Sequence, residues 1–216
     1  MTGPENAARA VLAAAIVAGV SYLAADHLAL SQAASLAWKG SGVALLAVYA
    51  GLKARSLDGW LICAVMAFGA AGDVLLGAAG MEVGAGAFLI GHLIAIWLYA
   101  RNPRSPTTPS QRILPLVLVP ATVAIAWMLP ADRAGAPAVA LYALGLAAMA
   151  AFAWLSRFPR YRVGIGALMF VVSDLLIFAR SGPLEGQAWV GYAIWTLYFG
   201  GQLLIVLGVT KTLEKG

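Results

Sequence analysis

Apolar residues occupy this chain in long stretches separated by short polar intervals. A helix needs about 20 mostly apolar residues to cross the hydrocarbon of a bilayer, with a tolerated range of about 17–25. Eight stretches meet that requirement, at residues 8–30, 35–53, 58–80, 83–100, 112–130, 135–156, 161–180 and 187–210. The longest interval, "RNPRSPTTPSQR" (101–112), is rich in Pro, Ser and Thr and reads as a loop. No segment is left over for a soluble domain. Arg9 ahead of Ala10–Ala25 imitates a signal peptide, but the apolar run is too long for one and reads as a first span. The pattern predicts an all-α fold: a polytopic bundle of eight transmembrane helices forming a single domain over 1–216.

Composition agrees. The chain is 62% hydrophobic and 11% charged, with mean hydropathy +0.87, whereas soluble domains run to about 25% charged and 45–50% apolar residues. The net charge of +5 therefore carries no argument for nucleic acid, and the placement of the cations matters more than their sum. Of the 14 Lys and Arg, only Lys39, Arg133 and Arg180 depart from one side; Arg9, Lys53, Arg55, Arg101, Arg104, Arg112, Arg157, Arg160, Arg162, Lys211 and Lys215 share it. The positive-inside rule puts that side, and both termini, in the cytoplasm, consistent with a bacterial inner membrane. The lone Cys63 excludes an intramolecular disulfide.

Against this background the polar residues inside spans stand out, because an ionisable group at mid-span costs roughly 2.5–3.5 kcal/mol on insertion scales. Asp73 lies 13 residues beyond Trp60 and Asp174 lies 12 beyond Arg162. At 1.5 Å per residue both stand roughly 18–20 Å above the cytoplasmic edge of a core about 30 Å thick. His92 falls near the midplane of the fourth span, Lys39 about one turn into the second. Tyr142, Tyr198 and Gln202 occupy similar levels, and Glu82 caps the turn between spans three and four. Polar groups from six spans thus converge on one layer open to the outer face. "FGAAGDVLLGAAG" and "MFVVSDLLIFARS" also align on their aspartates, Ser173 matching Gly72, as a parallel duplication of four helices would give. Structural roles compete with functional ones. Asp73 can accept hydrogen bonds from a neighbouring helix or pair with Lys39, His92 can be a packing residue, and Lys39 can snorkel to the interface. Trp38, Trp60, Trp189 and Tyr161 read as interfacial anchors.

No phosphate loop, His/Cys cluster or nucleophile elbow is present, so no motif points to a nucleotide, a metal or a nucleophile. What remains is a pair of carboxyls in a low-dielectric setting, where one can keep its proton. That equips either a general acid with a partner base or a proton-coupled transporter or lipid flippase. An intramembrane aspartyl protease also uses two helix-borne acids, but Gly72-Asp73 and Ser173-Asp174 lack its GxGD and YD signatures.

"GDVLL" in span three, "GAFLIGHLIAI" around His92, "GALMFVVSDLLI" in span seven and "YFGGQLLIVLG" in span eight resemble the YhhN-like lysoplasmalogenase family. "AWKGSGVALLAVYAG" around Lys39 is similar to its Lys-containing second helix and "LYALGLAAMA" to its Tyr-containing sixth; Gly40 stands where the family usually has Pro. The resemblance implies an eight-helix membrane hydrolase of the lysoplasmalogen vinyl ether bond, releasing a fatty aldehyde and a glycerophospho head group with no metal or organic cofactor. Asp73 and Asp174, in either order, would be its acid and its base or stabiliser. Lys39, Glu82, His92, Tyr142, Ser173, Tyr198 and Gln202 would bind or orient substrate. The implied partners are a lysophospholipid, water and membrane lipid, with no nucleic acid and no obligate protein partner.

Overall fold

The computed structural model describes residues 3–215. Eight α-helices follow one another: α1 (Gly3–Ser21), α2 (Gln32–Lys53), α3 (Leu57–Ala78), α4 (Met81–Ala100), α5 (Pro109–Met128), α6 (Ala136–Leu155), α7 (Ile165–Ala179) and α8 (Trp189–Leu213). A 3-10 segment, Tyr22–His27, prolongs α1, and a π-helical turn, Arg160–Gly164, leads into α7. With those extensions all eight are long and apolar enough to cross a membrane. Among the described residues the only extended pairing is an isolated bridge between Pro103 and Ser156. The chain is an all-α integral membrane protein.

The helix ends follow from local chemistry that hydropathy does not register. The first helix is already formed at Gly3 rather than at residue 8, and the extended backbone of Leu28 (φ −117°, ψ 137°) ends it near residue 27 rather than 30. Ser31 and Ser56 cap α2 and α3, accepting from the amides of Ala34 and Gly59 at 3.3 Å. The fifth helix begins at Pro109, three residues before the expected 112, because Pro suits the first helical position and Gln111 Oε1 accepts from the Thr108 amide at 3.2 Å. Between α3 and α4 only Ala79 and Gly80 remain, and Gly80 takes the positive φ (94°) that so short a reversal requires.

The chain divides into two compact units. One runs to Ala95 and takes in the segment from Val209 onward; the other is Ile96–Gly208. In the first, α1 packs on α2 and α2 on α3; in the second, α5, α6 and α7 pack together. Small residues set these approaches, because helices in lipid associate through close van der Waals contact rather than hydrophobic exclusion. A methyl added at Gly40 would stand 2.6 Å from Val74 Cγ2, and one at Gly72 would meet the Phe88 ring at 2.7 Å. In the second unit Gly166 and Gly201 face each other across α7 and α8: a methyl on either would stand 2.6 Å from the other's carbonyl oxygen.

This contact is testable. Gly201→Ala drives a methyl into backbone that cannot rotate away, so the helices must separate at a cost of about 1–3 kcal/mol. Gly191, on the same helix, has nothing within 4 Å of an added methyl, so Gly191→Ala is neutral or slightly stabilising. Thermal unfolding of the purified variants in detergent gives the comparison, and equal midpoints for the two would refute the role assigned to the Gly166–Gly201 contact.

Candidate functional site

In the second unit the Asp174 carboxyl is 4% exposed at mid-α7. A buried carboxyl in an apolar bundle must take its hydrogen bonds from protein, and two hydroxyls supply them. Tyr142 Oη, from α6, donates to Oδ2 at 2.7 Å, and Ser173 Oγ donates to Oδ1 at 3.3 Å. The Tyr142 ring is fixed edge-on against Phe178 (centroids 5.9 Å apart, 85°), so the hydroxyl is aimed by packing. Both carboxyl oxygens are thus engaged, one by a short bond from a neighbouring helix.

On α8, Tyr198 lies within electrostatic reach of Tyr142. Its ring is held edge-on by Phe170 (5.1 Å) and flanked by Trp195 (5.7 Å). One turn on, Gln202 Nε2 reaches the Tyr198 hydroxyl at 3.5 Å, while Gln202 Oε1 is buried with no partner. Gln202 follows Gly201, so the Gly166–Gly201 contact also fixes where this amide stands. A buried acceptor without a donor is rare, and here it suits a water or hydroxyl brought in with substrate.

In the first unit Asp73 is 2% exposed on α3. Phe88 of α4 covers Gly72 beside it. Tyr22 lies within its electrostatic reach and shares a hydrogen bond with Ser35. His92 is buried on α4, next to Gly91, which approaches Phe68 and Val65 of α3. Lys39 is half-buried on α2, beside the Gly40–Val74 contact and two turns from the start of the helix rather than one. Glu82 is exposed in the first turn of α4. Of the residues singled out from sequence, Tyr142, Ser173 and Asp174 form one hydrogen-bonded set and Tyr198 and Gln202 a second.

Residues 34–209 match the YhhN family. The chain belongs to that family. Two relatives carrying the name lysoplasmalogenase, from Mycobacterium bovis and Mycobacterium tuberculosis, are each 30% identical over 158 residues. The matched region is 69% of this chain and 59% of either relative, so the chain spans well under two thirds of their length. No solved structure matches.

One neighbour of Asp73 in this YhhN protein, Tyr22, and its contact with Trp38 escaped the sequence reading. Tyr22 falls where the first span frays, and Trp38, which reads as an interfacial anchor, packs edge-on against Tyr22 (6.2 Å) and donates to Ser21 Oγ at 3.1 Å. The usable signal was their spacing: Tyr22 and Trp38 flank the reversal between α1 and α2, so the hairpin brings them together. For Asp174 the geometry makes a direct prediction. Tyr142→Phe removes the short donor and leaves Oδ2 unsatisfied, which lowers stability by about 1–3 kcal/mol. Tyr161→Phe, on an exposed ring, leaves the thermal midpoint in place; equal effects would count against the bond.

Proposed function

We propose that this protein hydrolyses the vinyl ether bond of a lysoplasmalogen, with Asp174 as proton donor and Asp73 as the second carboxylate. The observation that carries the reading is the buried Asp174 carboxyl with a hydroxyl on each oxygen. The family membership and the name of its mycobacterial relatives supply the substrate class.

The chemistry asks for little else. A vinyl ether is activated by protonation at the carbon remote from oxygen, which breaks the C=C π bond and leaves an oxocarbenium ion. Water adds to its carbon and loses a proton to a carboxylate. The resulting hemiacetal collapses to a fatty aldehyde and the free glycerol hydroxyl. As the acid releases its proton, negative charge grows on its oxygens, and the Tyr142 and Ser173 hydroxyls strengthen their bonds at that moment. Such bonds favour the transition state over the ground state. A second carboxylate facing the cation lowers its energy, as paired carboxyls do around glycosidic oxocarbenium ions. Gln202 Oε1, buried and unpartnered, is the acceptor we assign to the attacking water. Lys39, Glu82 and His92 are assigned to the glycerophospho head group.

Purified protein in detergent, given a lysoplasmalogen, is expected to release aldehyde, with a normal solvent isotope effect from proton transfer to carbon. Asp174→Asn and Asp73→Asn each reduce kcat by about 10²–10⁴-fold, and Tyr142→Phe by about 10–100-fold. An acyl lysophospholipid, which has an ester in place of the vinyl ether, yields no aldehyde. Near-normal turnover in either Asn variant removes that aspartate from the mechanism. Absence of release by folded wild-type protein would favour a proton-coupled carrier, which needs two compartments to act.

A further inference from the structure

The second unit carries six of its eight arginines at one end and its exposed acids, with Arg133 and Arg180, at the other. α4 and α6 finish, and α5 and α7 begin, at the first end, which holds Arg101, Arg104, Arg112, Arg157, Arg160 and Arg162. The acids of Ile96–Gly208 are Asp132 and Glu185, in the loops at the opposite end, and Asp174 inside α7.

These arginines are not a loose fringe. The loop after α4 is strapped to the one after α6: Arg104 N donates to Leu155 O at 2.9 Å, and Arg157 donates from N and Nε to Asn102 O and Oδ1, both at 2.7 Å. Arg104 Nη2 donates to Phe158 O at 2.7 Å. The strap holds Arg104 in the neighbourhood of Arg160, where burial first, and the Arg160 charge second, lower its guanidinium from the ordinary value. Rigid like charges are costly unless something negative stands with them.

Three buried donors at this end also have no acceptor. They are Arg104 Nε, Tyr99 Oη and Trp154 Nε1. All sit around the segment 154–160: Tyr99 is edge-on to Phe158 (6.1 Å), Arg104 bonds Phe158 O, and Arg160 lies over the Trp154 ring at 5.8 Å. Tyr99 is 1% exposed. Since unpartnered buried donors are rare, cations and N–H or O–H donors together, at an end of the unit whose own loops carry no carboxylate, describe a site for an anion with several acceptor oxygens.

We propose that this end of the second unit binds a phosphate-type anion, carried by an acidic phospholipid head group or free in solution, with Arg104 and Arg160 as its principal ligands. Basic pockets between membrane helices suit acidic head groups, and a guanidinium presents its donors in the fork that phosphate oxygens accept. The site is separate from the one around Asp174. Arg160 precedes Asp174 by 14 residues, about 20 Å along the helix, whereas the phosphate and vinyl ether of one lysoplasmalogen share a single glycerol. Its occupant is therefore a second molecule.

Thermal unfolding of the full-length protein in an uncharged detergent tests this without reference to activity. Short-chain phosphatidylglycerol is titrated in, with phosphatidylcholine of the same chain length and inorganic phosphate as separate arms. Phosphatidylglycerol is expected to raise the midpoint more than phosphatidylcholine, and added salt to reduce the effect. Arg104→Gln and Arg160→Gln each weaken the apparent affinity about tenfold, whereas Arg133→Gln, at the opposite end, leaves it unchanged. Arg160→Gln keeps every strap bond intact, so it remains informative if Arg104→Gln folds poorly. An equal, arginine-dependent shift with inorganic phosphate supports the site and makes the soluble anion its occupant. No shift with either anion, or a shift unaltered in both variants, overturns the proposal.

Discussion

A carboxyl in hydrocarbon has no water to turn to, and the hydrogen bond from Tyr142 to Asp174 is how this chain meets that constraint on α7. The bond needs α6 and α7 at a fixed separation and fixed rotation, since its length is 2.7 Å. Ring packing on Phe178 aims the donor, and the Gly166–Gly201 contact, where an added methyl would stand 2.6 Å from a carbonyl oxygen, holds α8 close against the same helix. A change in any of these would expose the carboxyl's unmet demand rather than merely loosen packing. Specificity of helix arrangement here rests on a few polar groups and on small residues, because apolar surface alone does not choose among partners in lipid.

The spans were legible because crossing a membrane is a property of composition over about 20 residues, which tolerates errors of several positions. The ends were less so: the capped start of α5 at Pro109 and the 3-10 exit of α1 depend on single hydrogen bonds and single dihedral angles. Polar site residues stood out for a related reason. Asp174, Ser173 and Tyr142 are conspicuous in apolar sequence, and counting residues from the helix ends brings them to one level. Tyr22 and Trp38 were hidden by the opposite logic, since an aromatic near a span end is the ordinary interfacial anchor. Gly166 and Gly201 announced close approach, but only coordinates could pair them.

The arginines carry two kinds of information at different scales. Counted by side, they give the expected topology, because each one resists translocation wherever it sits in its loop. Placed in three dimensions, the same residues divide. Arg101 lies over Trp97 and Arg157 over Phe158, which are favourable surroundings for a cation. Arg104, by contrast, has a buried Nε with no acceptor and a like-charged neighbour. A topology signal alone would not require the loop to be strapped by four hydrogen bonds to the end of α6 and the segment after it; a binding surface would.

Gly40 sets how closely α2 approaches α3 beside Asp73. A proline in place of Gly40 would fix the backbone after Lys39 and remove a helical hydrogen bond. Glycine does neither. It lets α2 close on α3 until an added methyl would stand 2.6 Å from Val74. Val74 is the residue after Asp73, so this contact lies next to the acid itself. Lys39 is then positioned by packing against the helix that carries Asp73, and a bulkier residue at position 40 would displace the two together.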